Sequence, residues 1–212
     1  MKLDYNEILR YLGYEGELDN ATKEMIDKGL EVVEKYASFK HIYRIYDLEL
    51  RKNEIEFNNL VIPSRVLPNY FVNCKQILIL GATLGLELDK QIKKLEITDM
   101  SLALVVNAVA TEYMEKNLEK LCHDIEEDNK YYTSRFSIGY HDVSITHQPD
   151  LIKMIDATKL IGINVLESYL MVPSKSVSAM IGISDQPIEK QRAKCANCLP
   201  NGKCSFNCIR EV

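Results

Sequence analysis

Residues 76–126 read QILILGATLGLELDKQIKKLEITDMSLALVVNAVATEYMEKNLEKLCHDIE, and their order decides the fold. Residues 76–80 are a continuous apolar run of strand length stopped by Gly81, the pattern of a central strand buried on both faces. Residues 86–96 and 98–126 then carry helical periodicity. The second helix is capped by Thr98 or Asp99 and marked by Leu102, Val105, Val106, Val109, Met114, Leu118 and Leu121. Two successive helices after one strand argue against the alternating strands and helices of a nucleotide-binding domain, although Gly81-x-x-x-Gly85 has the spacing of a ligand loop. The expected class is α+β, with helices packed on a mainly antiparallel sheet and a groove on its surface.

Outward from this stretch, Asp4 caps a short helix that buries Tyr5, Ile8, Leu9 and Leu12 and stops at Gly13. A second helix is expected over 20–37, with Met25, Leu30, Val33 and Ala37 near one stripe. Residues 41–62 change to strand character around Lys52-Asn53 and read as a strand, a turn and a second strand. Residues 126–148 are polar and aromatic, the composition of a long loop held against something. A helix over 149–157 and a strand over 176–183 close the globular part. After Ser184-Asp185-Gln186-Pro187 the chain turns hydrophilic, which divides it into 1–186 and a tail of 187–212.

The 212 residues, 46% apolar, suffice for a packed core. With 26 basic and 31 acidic residues, a net charge of −5 and no basic tract, neither nucleic acid nor an anionic membrane is an expected partner. No window approaches the roughly 18 apolar residues of a membrane span, and the N-terminus lacks the apolar core of a signal peptide; a cytoplasmic protein is expected. Four of six cysteines lie in the tail as Cys195-x2-Cys198-x5-Cys204-x3-Cys208. In a reducing compartment this argues for metal ligation over disulfides. Four thiolates suit tetrahedral zinc or an iron–sulfur cluster, and Pro200-Asn201-Gly202 supplies a turn between the pairs. Cys74 and Cys122 are isolated and read as small buried apolar groups.

Two further segments carry chemistry. One is Arg135-x-x-x-Gly139-Tyr140; the other, about thirty residues on, is Leu166-Glu167-Ser168-Tyr169-Leu170-Met171-Val172-Pro173-Ser174-Lys175-Ser176-Val177-Ser178. Together they resemble the S-adenosylmethionine-binding reactivation domain of cobalamin-dependent methionine synthase. The resemblance implies that Arg135 grips the ligand carboxylate through its planar fork. It implies that Gly139 lets backbone approach the ligand, that Ser137 acts through its backbone, and that Tyr140 faces the corrin of a partner. Glu115 is matched to the family's acidic residue, as an acceptor for the ligand ammonium or as a solvated helix glutamate. Glu167 is a groove-lining carboxylate or a buried group bonded to backbone amides.

The implied activity is reactivation of a cobalamin-dependent methyltransferase, most simply methionine synthase, as one component of a multi-chain enzyme. S-adenosylmethionine supplies the methyl group, a separate donor supplies an electron, and oxidised cob(II)alamin on a partner chain is reductively methylated. An iron–sulfur tail suits chemistry that consumes an electron. The alternative is an iron–sulfur or zinc adaptor that docks to a corrinoid protein without its own part in methyl transfer. The chain departs from the long enzymes in two places: Phe136, Ser137 and Ile138 replace their proline-rich loop, and the cysteine tail stands where they continue.

Overall fold

The computed structural model describes residues 3–14, 16 and 18–188. Helix α1 (Tyr5–Leu12) begins where the Asp4 carboxylate accepts the Asn6 N–H at 2.9 Å and ends at Gly13 with φ +66°. Helix α2 (Asn20–Tyr36) is capped by Asp19, which accepts the Thr22 N–H. Strands β1 (Lys40–Asp47), β2 (Glu49–Arg51), β3 (Glu54–Phe57) and β4 (Leu60–Pro63) precede the short helix α3 (Leu67–Tyr70). Strand β5 (Gln76–Thr83) leads directly into α4 (Leu86–Thr98) and the long α5 (Met100–Asp124), as the sequence predicts. Then come β6 (Tyr131–Tyr132), α6 (Gln148–Met154), α7 (Ala157–Ile161), β7 (Asn164–Val165), β8 (Met171–Val172) and β9 (Ser176–Ser184).

The main sheet is antiparallel throughout in the order β1-β5-β9-β6, so both apolar strands, β5 and β9, lie inside it. Strand alternation divides the core into two layers. Leu78, Leu80 and Ala82 of β5, with Ile181 and Ile183 of β9, pack beneath α1, α2, α4 and α5. Ile77, Ile79 and Met180 point the other way, against Phe57, Phe71, Ile152 and Ile155. Fully burying one such side chain contributes about 1.5–3 kcal/mol. The helical face and the opposite face, made of short helices and the small sheet β2-β3-β4, therefore both anchor the same two strands.

Two expectations change. Residues 41–62 are not one hairpin: β1 pairs with β5, in the register Lys40↔Thr83 to Asp47↔Gln76. The turn at Lys52-Asn53 joins β2 to β3, and a second turn at Asn58-Asn59, both at positive φ, adds β4. Consecutive asparagines tolerate the left-handed region, which a two-residue hairpin requires. The helix expected over 149–157 breaks into α6 and α7 at Asp156, where φ is +54°. Gly81 lies within β5, where an added Cβ would approach Ile155 Cδ1 to 2.8 Å; it is a packing position in a strand and not part of a ligand loop. No helix among the described residues is long and apolar enough to cross a membrane.

Candidate functional site

The segment after β6 continues along the free edge of β9. Thr133 N–H donates to the Gly182 carbonyl at 3.0 Å, and Phe136 and Met180 exchange backbone hydrogen bonds at 2.9 and 2.7 Å. Phe136 enters the lower core, so alternation turns Arg135 and Ser137 toward the helical face. There Arg135 Nη2 donates to Glu115 Oε2 of α5 at 2.7 Å, with the two side chains only 19% and 28% exposed. Partial burial strengthens this pair relative to a surface ion pair. Its charges reach further: burial chiefly, and Glu115 next, push the Tyr11 hydroxyl up to about 12. The Cys122 thiol is raised by burial, while Arg135 acts in the opposite direction.

Ser137 Oγ donates to the Ser178 carbonyl at 3.0 Å. Its own N–H and C=O have no hydrogen-bond partner among the described residues, leaving unpaired backbone at a sheet edge. Gly139 has φ +92°, its N–H donates to the Val143 carbonyl, and an added Cβ would lie 3.1 Å from Ile145 Cδ1. A side chain is therefore disfavoured there both by conformation and by space. Val143 N–H returns to the Tyr140 carbonyl, and Tyr140 itself is 56% exposed. Asp142 pins the turn by accepting from Ser64 Oγ and Arg65 N–H, both at 2.6 Å. Burial opposes its ionisation, yet these hydrogen bonds leave its pKa below the ordinary value.

The later signature is tied to the helical layer. Residues 166–170 make a tight turn closed by Leu166 N–H to the Leu170 carbonyl, β7 and β8 pair, and the Val172–Pro173 bond is cis. Ser174 then donates its N–H and its hydroxyl to Asp89 of α4, and Lys175 Nζ donates to Thr111 Oγ1 of α5 at 2.8 Å. Ser178 Oγ accepts from the buried Gln148 amide at 2.7 Å. Sequence reasoning gave no role to Lys175, Ser178, Gln148 or Asp142. Lys175 and Ser178 stand inside the quoted signature, but their partners are remote in sequence.

Arg135, Glu115, Ser137, Gly139 and Tyr140 thus fall on one loop and the helix turn facing it. Glu167 stands apart. It is exposed within the turn at 166–170 and has no hydrogen bond or ion pair among the described residues, so its reading as a buried group bonded to amides is corrected. Its apolar neighbours mislead because they are exposed as well, Leu166 by 49% and Leu170 by 65%. Cys195, Cys198, Cys204 and Cys208 lie outside the described residues. A cavity of about 280 Å³ opens beside the start of the loop, lined by Tyr70, Asn73, Thr133, Ser134 and Ile188. One of about 320 Å³ lies elsewhere, between α6 and α7, without any residue of the arginine loop. The charged pair and the unpaired edge backbone favour the loop as the candidate site.

Residues 99–191 match the family described as vitamin B12 dependent methionine synthase, activation domain. The fold matches the crystal structure of the MetH reactivation domain bound to AdoHcy with a TM-score of 0.66 at 16% identity, over 88% of this chain and 75% of that chain. No curated protein matches the sequence. The resemblance read from the two signature segments and the α+β fold are both borne out.

Proposed function

We propose, from the match of residues 99–191 to the activation-domain family of vitamin B12 dependent methionine synthase, that this chain binds S-adenosylmethionine and supports reductive methylation of an oxidised corrinoid on a partner. The observation that carries the reading is the Arg135–Glu115 pair beside the unpaired backbone of Ser137. An amino-acid zwitterion meets one group of each sign there, and an extended adenosine can use edge N–H and C=O groups that have no other partner. Gly139 keeps that edge open, and Tyr140 offers a flat, exposed face to the corrin.

The corrinoid, when reduced, supplies the nucleophile for the sulfonium methyl. This chain's contribution is positioning: it holds the sulfonium and excludes water, which lowers the barrier without a protein nucleophile. Tyr140 is the residue expected to touch the reacting partner. In this reading the protein is cytoplasmic, and Cys195, Cys198, Cys204 and Cys208 of the tail would hold an iron–sulfur cluster, which would supply one-electron transfer from a separate donor. Zinc at the same ligands makes the tail structural instead.

The test is calorimetric titration with S-adenosylmethionine of the full chain and of a chain truncated before Lys194, followed by methyl transfer to a cobalamin-bearing methionine synthase module. Binding by both forms together with transfer supports the reading. A chain that docks to the corrinoid protein but binds no S-adenosylmethionine in either form is an adaptor.

A further inference from the structure

The end of β9 steers the chain that follows it. Asp185, the first residue after the strand, is held by two cations, Lys75 at 3.2 Å and Lys130. Gln186 N–H turns back to Ser184 Oγ at 3.0 Å. Pro187 and Ile188 then line the cavity of about 280 Å³ beside the start of the arginine loop, and Ile188 is half-buried against the lower core. The chain that carries the cysteines therefore leaves the described residues at the wall of this cavity.

The cavity suits an apolar group. Val72, on its wall, is 51% exposed. Tyr70, beside it, stands edge-on to both Phe71 and Phe136 and donates its hydroxyl to the Ser134 carbonyl at 3.0 Å, which fixes its ring as part of an aromatic array. A cavity of about 150 Å³ already holds a benzene ring, and one more ring extends such an array favourably. The tail contains a single aromatic residue, Phe206, between Cys204 and Cys208. Charge agrees: the tail carries five basic and two acidic side chains, while the turn before β6 presents Glu126, Glu127 and Asp128 close in sequence to the Lys130 that holds Asp185. Cys195 lies seven residues beyond Ile188, a reach of at most about 25 Å. So short a tether gives the tail an effective concentration on the order of millimolar at the cavity.

We propose that this cavity is the seat of the tail's cysteine segment, residues 195–208, with Phe206 entering beside Tyr70 and Val72. Thr133 and Ser134 of the cavity wall lead directly into Arg135, so the seat holds the cysteines at the start of the segment that forms the candidate site. The inference rests on the reading of the tail as a metal centre only for what is delivered there; the seat itself follows from the path of the chain after β9.

Hydrogen exchange read by mass spectrometry on the full-length chain, purified anaerobically with its metal content measured in parallel, tests the seat from both sides. Phe206→Ala leaves all four cysteines in place and should speed exchange in peptides covering 70–73 and 131–134 roughly tenfold. Val72→Glu, a change at an exposed position, should speed exchange in a peptide covering 199–209 by a similar factor while the thermal melt of the domain stays unchanged. Because both changes break one contact, the double variant adds nothing to either. Unchanged exchange in either single variant overturns the inference. So does protection that grows with protein concentration, which assigns the cavity to a second copy of the chain. A chain that shows the reciprocal protection yet holds no metal keeps the seat and overturns the metal reading instead.

Discussion

Arg135 and Glu115, one on a sheet-edge loop and the other on α5, are joined by a 2.7 Å ion pair that is mostly shielded from water. The carboxylate thereby holds the guanidinium side chain toward the helix, and the guanidinium keeps the carboxylate oriented before any ligand arrives. Arg135→Ala removes this support from a partly desolvated site and is expected to weaken S-adenosylmethionine binding by roughly 2–4 kcal/mol. Arg135→Lys recovers only part, since a point charge cannot reproduce a planar fork. Unchanged calorimetric affinity in both variants removes Arg135 from the site.

Tyr140 is 56% exposed and donates no hydrogen bond from its side chain among the described residues. Tyr140→Ala is therefore expected to leave the melting temperature and S-adenosylmethionine affinity nearly unchanged while depressing methylation of partner-bound cobalamin. A loss of ligand affinity equal to that of Arg135→Ala places Tyr140 in the wrong half of the site.

Gly139→Ala combines a positive φ with a Cβ at 3.1 Å from Ile145 Cδ1. The expected cost is about 1–3 kcal/mol in urea unfolding. Ligand affinity should fall as well, because relief of the strain shifts the edge backbone at Ser137. A fully stable variant with unaltered affinity shows that the loop accepts a side chain and that the glycine has no special role.

The Cys74 thiol is 4% exposed, and burial pushes it up to about 11 from an ordinary 9.0. Between these values the unfolded chain loses a proton that the folded chain keeps, so this contribution to stability is intact below pH 9 and is lost as pH rises toward 11. Urea midpoints measured from pH 8 to 11 should decline through that window, and Cys74→Ala should flatten the decline. Tyr11, raised from 10.0 to about 12, adds its own decline one unit higher. A variant with the same slope as the parent between pH 9 and 10 assigns the effect to other groups.

Cys198→Ser is expected to release metal from the tail without unfolding the domain, because both core clusters lie within the described residues. Metal content by mass spectrometry and a parallel thermal melt decide it. Global unfolding on metal loss makes the tail an integral part of the fold and removes the boundary near Gln186.

The β5, α4 and α5 segments were legible because their signals are local: a continuous apolar run and two long helical periodicities. The partner of β1 was not legible. Alternation marks a strand but carries no address, and a chain entering β5 from the far side of a small sheet reads like a hairpin. The break at Asp156 depends on one residue adopting a left-handed backbone, which composition does not announce. In the site, Arg135 and Glu115 were each readable as charged groups, but their pairing, twenty residues apart, comes only from packing α5 over the sheet edge. Lys175 is not legible as a partner of α5, because its hydrogen bond is to Thr111, 64 residues away.

The position of β9 also bears on how the chain is made. Among the described strands it is the last to be synthesised, yet it occupies the interior of the sheet, and Gln76 must wait for Ile183 before its pairing is complete. Until then β5 is hydrogen-bonded along the β1 edge only, and the edge loop with Arg135 has no strand to lie against. Such long-range closure slows folding and prolongs exposure of an aggregation-prone strand. A chain truncated before residue 176 should yield not a smaller domain but an insoluble one, whereas loss of the tail alone leaves every described strand with its neighbour.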